Sequence, residues 1–120
     1  MVTNLVYTFF CFWIADFVLQ SRRIAENKSK NFNILVEHII IVTCTLFVTL
    51  LVITDVKTAG NISIVNGASH LIIDFITSRI TTYFYINNKI HAFFTTIGFD
   101  QFLHASILIW TVQFFIGGPQ

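Results

Sequence analysis

The stretch Asn33–Thr54, "NILVEHIIIVTCTLFVTLLVIT", decides the fold class. It is a long apolar run, and a helix needs only about 20 residues at 1.5 Å rise each to cross the hydrocarbon of a bilayer. Its β-branched residues do not alternate with period two, as the strands of a membrane barrel would, so the run reads as a helix.

Three more runs flank it: Val2–Gln20, "VTNLVYTFFCFWIADFVLQ"; a more polar one, Ile62–Ile86; and Gln101–Gly117. The chain is 55% hydrophobic and 11% charged, with 14 phenylalanines, too little charge to cover the surface of a soluble domain of 120 residues. Net charge is +1 and no basic patch suits nucleic acid. The expected architecture is therefore all-α, an integral membrane bundle of four transmembrane helices. It forms one domain over 1–120, with spans at 2–20, 33–54, 62–86 and 101–117. A short interfacial segment from Lys89 to Gly98 is expected between the third and fourth spans, ended by Gly98. No cleavable signal peptide is expected, because no basic residue precedes the first run and Asp16 interrupts it. Cys11 and Cys44 both lie in apolar runs and read as buried free thiols.

The connections orient the bundle. "SRRIAENKSKN" carries Arg22, Arg23, Lys28 and Lys30, whereas "DVKTAGN" carries only Lys57. The positive-inside rule puts the first connection in the cytoplasm and both termini outside, in a multi-pass protein of the inner membrane. The ionisable residues of the spans then fall into one layer. Asp16 lies four residues before Gln20, His38 five after Asn33, and Asp74 five before Arg79, while Asp100 and His104 open the last span. Four or five helical residues cover about 6–8 Å, so every span offers an ionisable group just inside the cytoplasmic boundary. His70 lies one turn deeper.

Residues i and i+4 share a helix face, which pairs His70 with Asp74 and Asp100 with His104. An intramembrane Asp costs about 2.5–3.5 kcal/mol on insertion scales, so these groups are expected to turn inward and pair. Three histidines and three carboxylates suit a divalent transition metal, with Zn²⁺ favoured. His38, His70, Asp74 and His104 are the expected ligands, and Asp16 and Asp100 the expected proton-handling, catalytic groups. The alternative is a hydrogen-bonded network that locks the helices together. Arg22, Arg23 and Arg79 are expected at the cytoplasmic interface, either binding a substrate phosphate or serving as anchors.

Other residues read more simply. His91 is expected at the surface, and Trp13 and Trp110 as packing residues. Gly60, Asn61 and Asn66 read as turn and helix-start residues, and "GAS" at 67–69 as a site of close helix contact.

The order of "ADFVLQ", the lone His38, "HLIIDFITSR" and "DQFLH" resembles an uncharacterised group of small bacterial and phage integral membrane proteins, catalogued as a domain of unknown function. The resemblance covers nearly the whole chain. It implies that Asp16, Gln20, His38, His70, Asp74, Asp100, Gln101 and His104 fall on recurrent polar positions of the group, and it implies no activity. The group's pattern often has a histidine shortly before the "ADF" stretch, where this chain has Phe12.

Three function classes follow. The favoured one is a metal-dependent membrane hydrolase acting on a lipid or phosphoester. The second is a metal-ion or proton transporter or channel component, assembled as a homo-oligomer. The third is a non-catalytic phage or bacterial protein that binds membrane lipid or a host membrane protein.

Overall fold

The computed structural model describes residues 2–117, and among these every regular element is a helix. Helix α1 covers Val2–Trp13 and continues without a break into a π-helical turn, Ile14–Val18. Helix α2 is short, Arg22–Asn27; α3 covers Phe32–Leu50, α4 Val56–Ile86 and α5 Ile90–Phe115.

Local sequence explains the starts. Ser21, Asn31 and Asp55 each stand in extended backbone and accept a hydrogen bond from a backbone N–H of the helix that follows. Asp55 lies in the exposed connection. Its carboxyl is held below the usual carboxylate range because Thr58 donates hydrogen bonds to it. This cap starts α4 at Val56, earlier than the run at Ile62, so Gly60, Asn61 and Asn66 lie inside a helix rather than in a turn. Between α4 and α5 the chain reverses through Asn88, whose φ of 56° is left-handed, a conformation that Asn tolerates better than most residues.

The separate interfacial segment expected at 89–98 does not exist: those residues form the first turns of α5. An internal Gly costs a helix only about 1 kcal/mol relative to Ala, and no Pro is present to interrupt it. Packing against α4 outweighs that cost, with Phe93 and Ile97 half-buried. At 1.5 Å per residue α4 is about 46 Å long, which accounts for most of the 50 Å length of the molecule.

Helix α4 is the centre of the assembly, packed between α3 and α5, and α1 closes the bundle against α3 and α5. The buried positions of α4 are Ala59, Ile62, Ser63, Asn66, Gly67, His70, Asp74, Thr77 and Ser78, spaced by three and four residues as one helix face requires. A Cβ on Gly67 would collide with Thr43 Oγ1, so the missing side chain is what lets α3 and α4 approach. One end of the core is apolar, built by Phe12, Val42, Leu46, Ile62, Leu108 and Val112. Asn66 is bonded within it to Thr111 Oγ1, at 2.8 Å.

The distribution of polarity is inverted. Asp16, His38, His70, Asp74 and His104 are buried, while Val6, Phe10, Val48, Ile72, Phe102 and Phe114 stand exposed on the outer faces. Trp13 and Trp110 are also more than half exposed, so they are outer-surface residues and not core packing. Cys11 is buried, but Cys44 faces outward; neither is bonded to the other. By length and composition, α3 and α5 are long and apolar enough to cross a membrane, and Val2–Val18 is apolar but shorter. Helix α4 is long enough, but polar residues fill its inner face.

Candidate metal centre

Four helices deliver one residue pair or one residue each to a single point. Asp16 comes from the π turn, a wider turn that is often found at functional positions. His38 comes from the second turn of α3. His70 and Asp74 lie one turn apart on α4, and Asp100 and His104 one turn apart on α5.

All three histidines present Nε2 to the carboxylates. His38 Nε2 is 3.1 Å from Asp16 Oδ1 and 3.5 Å from Asp74 Oδ2. His70 Nε2 is 3.3 Å from Asp16 Oδ1 and 3.2 Å from Asp74 Oδ2. His104 Nε2 is 3.1 Å from Asp74 Oδ1 and 3.3 Å from Asp100 Oδ1. Asp74 is the hub, since all three rings reach it. Asp100 sits at the edge, where Thr77 Oγ1 donates to it at 2.6 Å and Gln101 Nε2 at 2.9 Å. The Phe12 ring seals the apolar side, with its centroid 5.9 Å from that of His70 and 6.0 Å from that of His104.

Two overlapping sets, Asp16–His38–His70 and His70–Asp74–His104, each bring three ligand atoms within 4.8 Å of one another. Ligands about 2.0–2.1 Å from a tetrahedral ion lie roughly 3.3 Å apart, and the observed nitrogen–oxygen separations bracket that edge. Three buried imidazole nitrogens have no hydrogen-bond partner, Nδ1 of His38 and both nitrogens of His70, and one of them faces the carboxylates. His70 Nε2 is fully buried and within 3.3 Å of two carboxylates, yet it has hydrogen-bond geometry to neither. A buried polar atom without a partner is costly, and a cation among these groups would satisfy it.

The arginines assigned to a phosphate are directed elsewhere. Arg22 pairs with Glu26 at 2.8 Å, and Arg23 pairs with Glu37 at 2.5 Å. The Arg79 guanidinium lies over the Phe75 ring at 3.7 Å and donates to Phe75 O. Each finds a partner at its own surface, so none is drawn inward. The cation that does reach the centre is Lys28, whose Nζ is 3.1 Å from Asp74 Oδ2. In the sequence Lys28 is one of four basic residues of a connection and carries no further signal. No spacing rule pairs positions 28 and 74; the fold of α2 and the turn after it carry the side chain there.

Beside the centre is a cavity of about 690 Å³, walled by the α2 connection and the extended ends of α4 and α5. Asp74 and Asp100 lie at its lining, together with Thr77 and Ser78. The cluster is thus closed on one side by apolar packing and approachable on the other. His91 is exposed, away from it.

The family described as protein of unknown function (DUF3307) matches residues 5–118, so the chain belongs to that family. No curated protein and no solved structure matches it.

Proposed function

Starting from a family without an assigned activity, we propose that this chain is a multi-pass membrane protein whose buried cluster holds a divalent transition metal and hydrolyses a phosphoester. The inverted polarity supports the membrane reading, because an apolar outer face is stable against lipid and unstable against water. Helices α1, α3, α4 and α5 are the four spans. The basic residues of the 21–31 connection favour a cytoplasmic position for α2 and outer positions for both termini, in the inner membrane.

The unpartnered Nε2 of His70, among carboxylates at ligand-edge spacing, is the observation that carries the metal. His38, His70, Asp74 and His104 are the ligands in this reading, and Zn²⁺ suits their mixed nitrogen and oxygen donors. A bound ion of this kind supplies a water whose pKa is lowered to about 7. Asp100, half-buried at the cavity and hydrogen-bonded to Thr77, would accept a proton from an incoming molecule in this reading. Asp16, enclosed at the far side, has Oδ1 3.1 and 3.3 Å from the same Nε2 atoms of His38 and His70, so it would face an ion beside them and not orient the rings from behind. Transport across the membrane is disfavoured, because Leu46, Leu50, Ile62, Leu108 and Val112 close the core beyond the cluster.

One observation favours a second reading, a structural network without metal: Lys28 already gives Asp74 a cation. Metal analysis of detergent-purified protein separates the two. Stoichiometric zinc or manganese that is lost in His104→Ala supports the centre. A metal-free protein that neither takes up added Zn²⁺ nor gains stability from it overturns it in favour of the network.

A further inference from the structure

The cavity beside the cluster has a lining that the metal centre does not use. Two of its polar groups are buried without a partner: the hydroxyl of Ser78, a residue only 7% exposed, and Gln20 Oε1. Two of its residues are cationic. Lys28 faces Asp74, and Lys30, on the same wall, has no ion pair among the described residues. The carboxylates that could repel an anion are engaged: Glu26 by Arg22, Asp74 by Lys28 and His104, Asp100 by His104, Thr77 and Gln101. What remains free is the Lys30 ammonium and, among the buried lining groups, the Ser78 hydroxyl and the Gln20 amide oxygen.

The rim is different. Phe17, Phe93 and Ile97 also line the cavity, and Phe17 is 43% exposed on the outer face of the bundle. An occupant with a polar end at the lysines and an apolar end at the rim matches both halves. The depth is consistent. The cavity lies on the α2 side of the cluster, between the short α2 and the ends of α4 and α5 that run past it, where the head groups of the cytoplasmic leaflet would be.

We infer that this cavity binds the phosphate head of a membrane lipid, with Lys30, Lys28 and Ser78 as donors to the phosphate and Phe17, Phe93 and Ile97 along the start of its chain. The inference rests on the metal-hydrolase reading for its use, since it presents a phosphoester beside Asp74 and Asp100. It does not rest on that reading for binding. Charge-assisted donors of this kind are the strong contacts to phosphate oxygens, and the volume is in the range of about 300–1,000 Å³ typical of small-molecule sites.

The test is binding of three probes to the full-length protein in detergent micelles: dioctanoyl phosphatidic acid, dioctanoylglycerol and glycerol phosphate. Metal content is measured on the same samples. Phosphatidic acid is expected to bind at least about tenfold more tightly than either other probe, the weight of one strong charge-assisted contact. Lys30→Gln should weaken it by a similar factor. Ser78→Ala should weaken it several-fold while leaving thermal stability unchanged or raised, because the substitution removes a buried hydroxyl that has no partner. That split keeps the result separate from misfolding. Equal binding of dioctanoylglycerol overturns phosphate recognition, and equal binding of glycerol phosphate overturns the lipid as the source. Bound metal with no preference for phosphatidic acid overturns this inference and leaves the metal centre standing. A phosphatidic acid preference in metal-free protein sustains the site and removes the hydrolase.

Discussion

The rings of His70 and His104 stack with centroids 4.0 Å apart and planes 25° from parallel, and both turn Nε2 toward the carboxylate of Asp74. Two histidines from neighbouring helices thus share one carboxylate. His38 and Lys28 reach the same group from α3 and from the α2 connection. Four segments of the chain converge on a single side chain that is almost wholly buried.

Removal of that side chain should therefore be among the most damaging changes available. Asp74→Ala removes the acceptor to which His104 and the half-buried Lys28 are hydrogen-bonded, and breaking a buried pair of this class costs about 3–5 kcal/mol. The midpoint of thermal unfolding in detergent should fall sharply. Asp74→Asn, which keeps the shape and one acceptor oxygen, should fall less. An unchanged midpoint for Asp74→Ala would count against the hub.

Phe12 faces the stacked pair, so an imidazole at that position would join the cluster. Phe12→His is expected to tighten Zn²⁺ binding by about tenfold, the lower end of what supporting groups contribute to metal sites. Competition with a chromophoric chelator measures this. A weaker or unaltered affinity would show that position 12 does not address the ligand atoms.

The α3–α4 contact depends on the absence of one side chain. Gly67→Ala would push a methyl into Thr43, and overpacking of this kind costs about 1–3 kcal/mol. The double variant Gly67→Ala with Thr43→Ala should recover most of the loss. Additive destabilisation in the double variant would place the cause elsewhere.

The orientation of the bundle is accessible to labelling. With Cys11 and Cys44 replaced by serine, a single cysteine at Asn27 should react with a membrane-impermeant maleimide in inverted membrane vesicles and not in intact spheroplasts. Labelling in spheroplasts would reverse the topology and would place the cavity at the outer leaflet.

Much of this architecture was legible in the residues alone. Apolar run length and the lack of period-two alternation determined the helical class, and the i, i+4 spacing of His70 with Asp74 and Asp100 with His104 determined which groups share a face. Both are local properties, set by 3.6 residues per turn and by the cost of leaving a charge outside a polar interior. The continuation of α5 through Gly98 was not legible, because a modest helical penalty was overruled by packing against α4. Nor was Asn66 as a buried partner of Thr111, which needs the rotation of α5 about its axis. The approach of Lys28 to Asp74 and the pairing of Arg23 with Glu37 depend on how the connection folds back. Those outcomes are set by contacts between residues distant in the chain, so only the tertiary structure decided them.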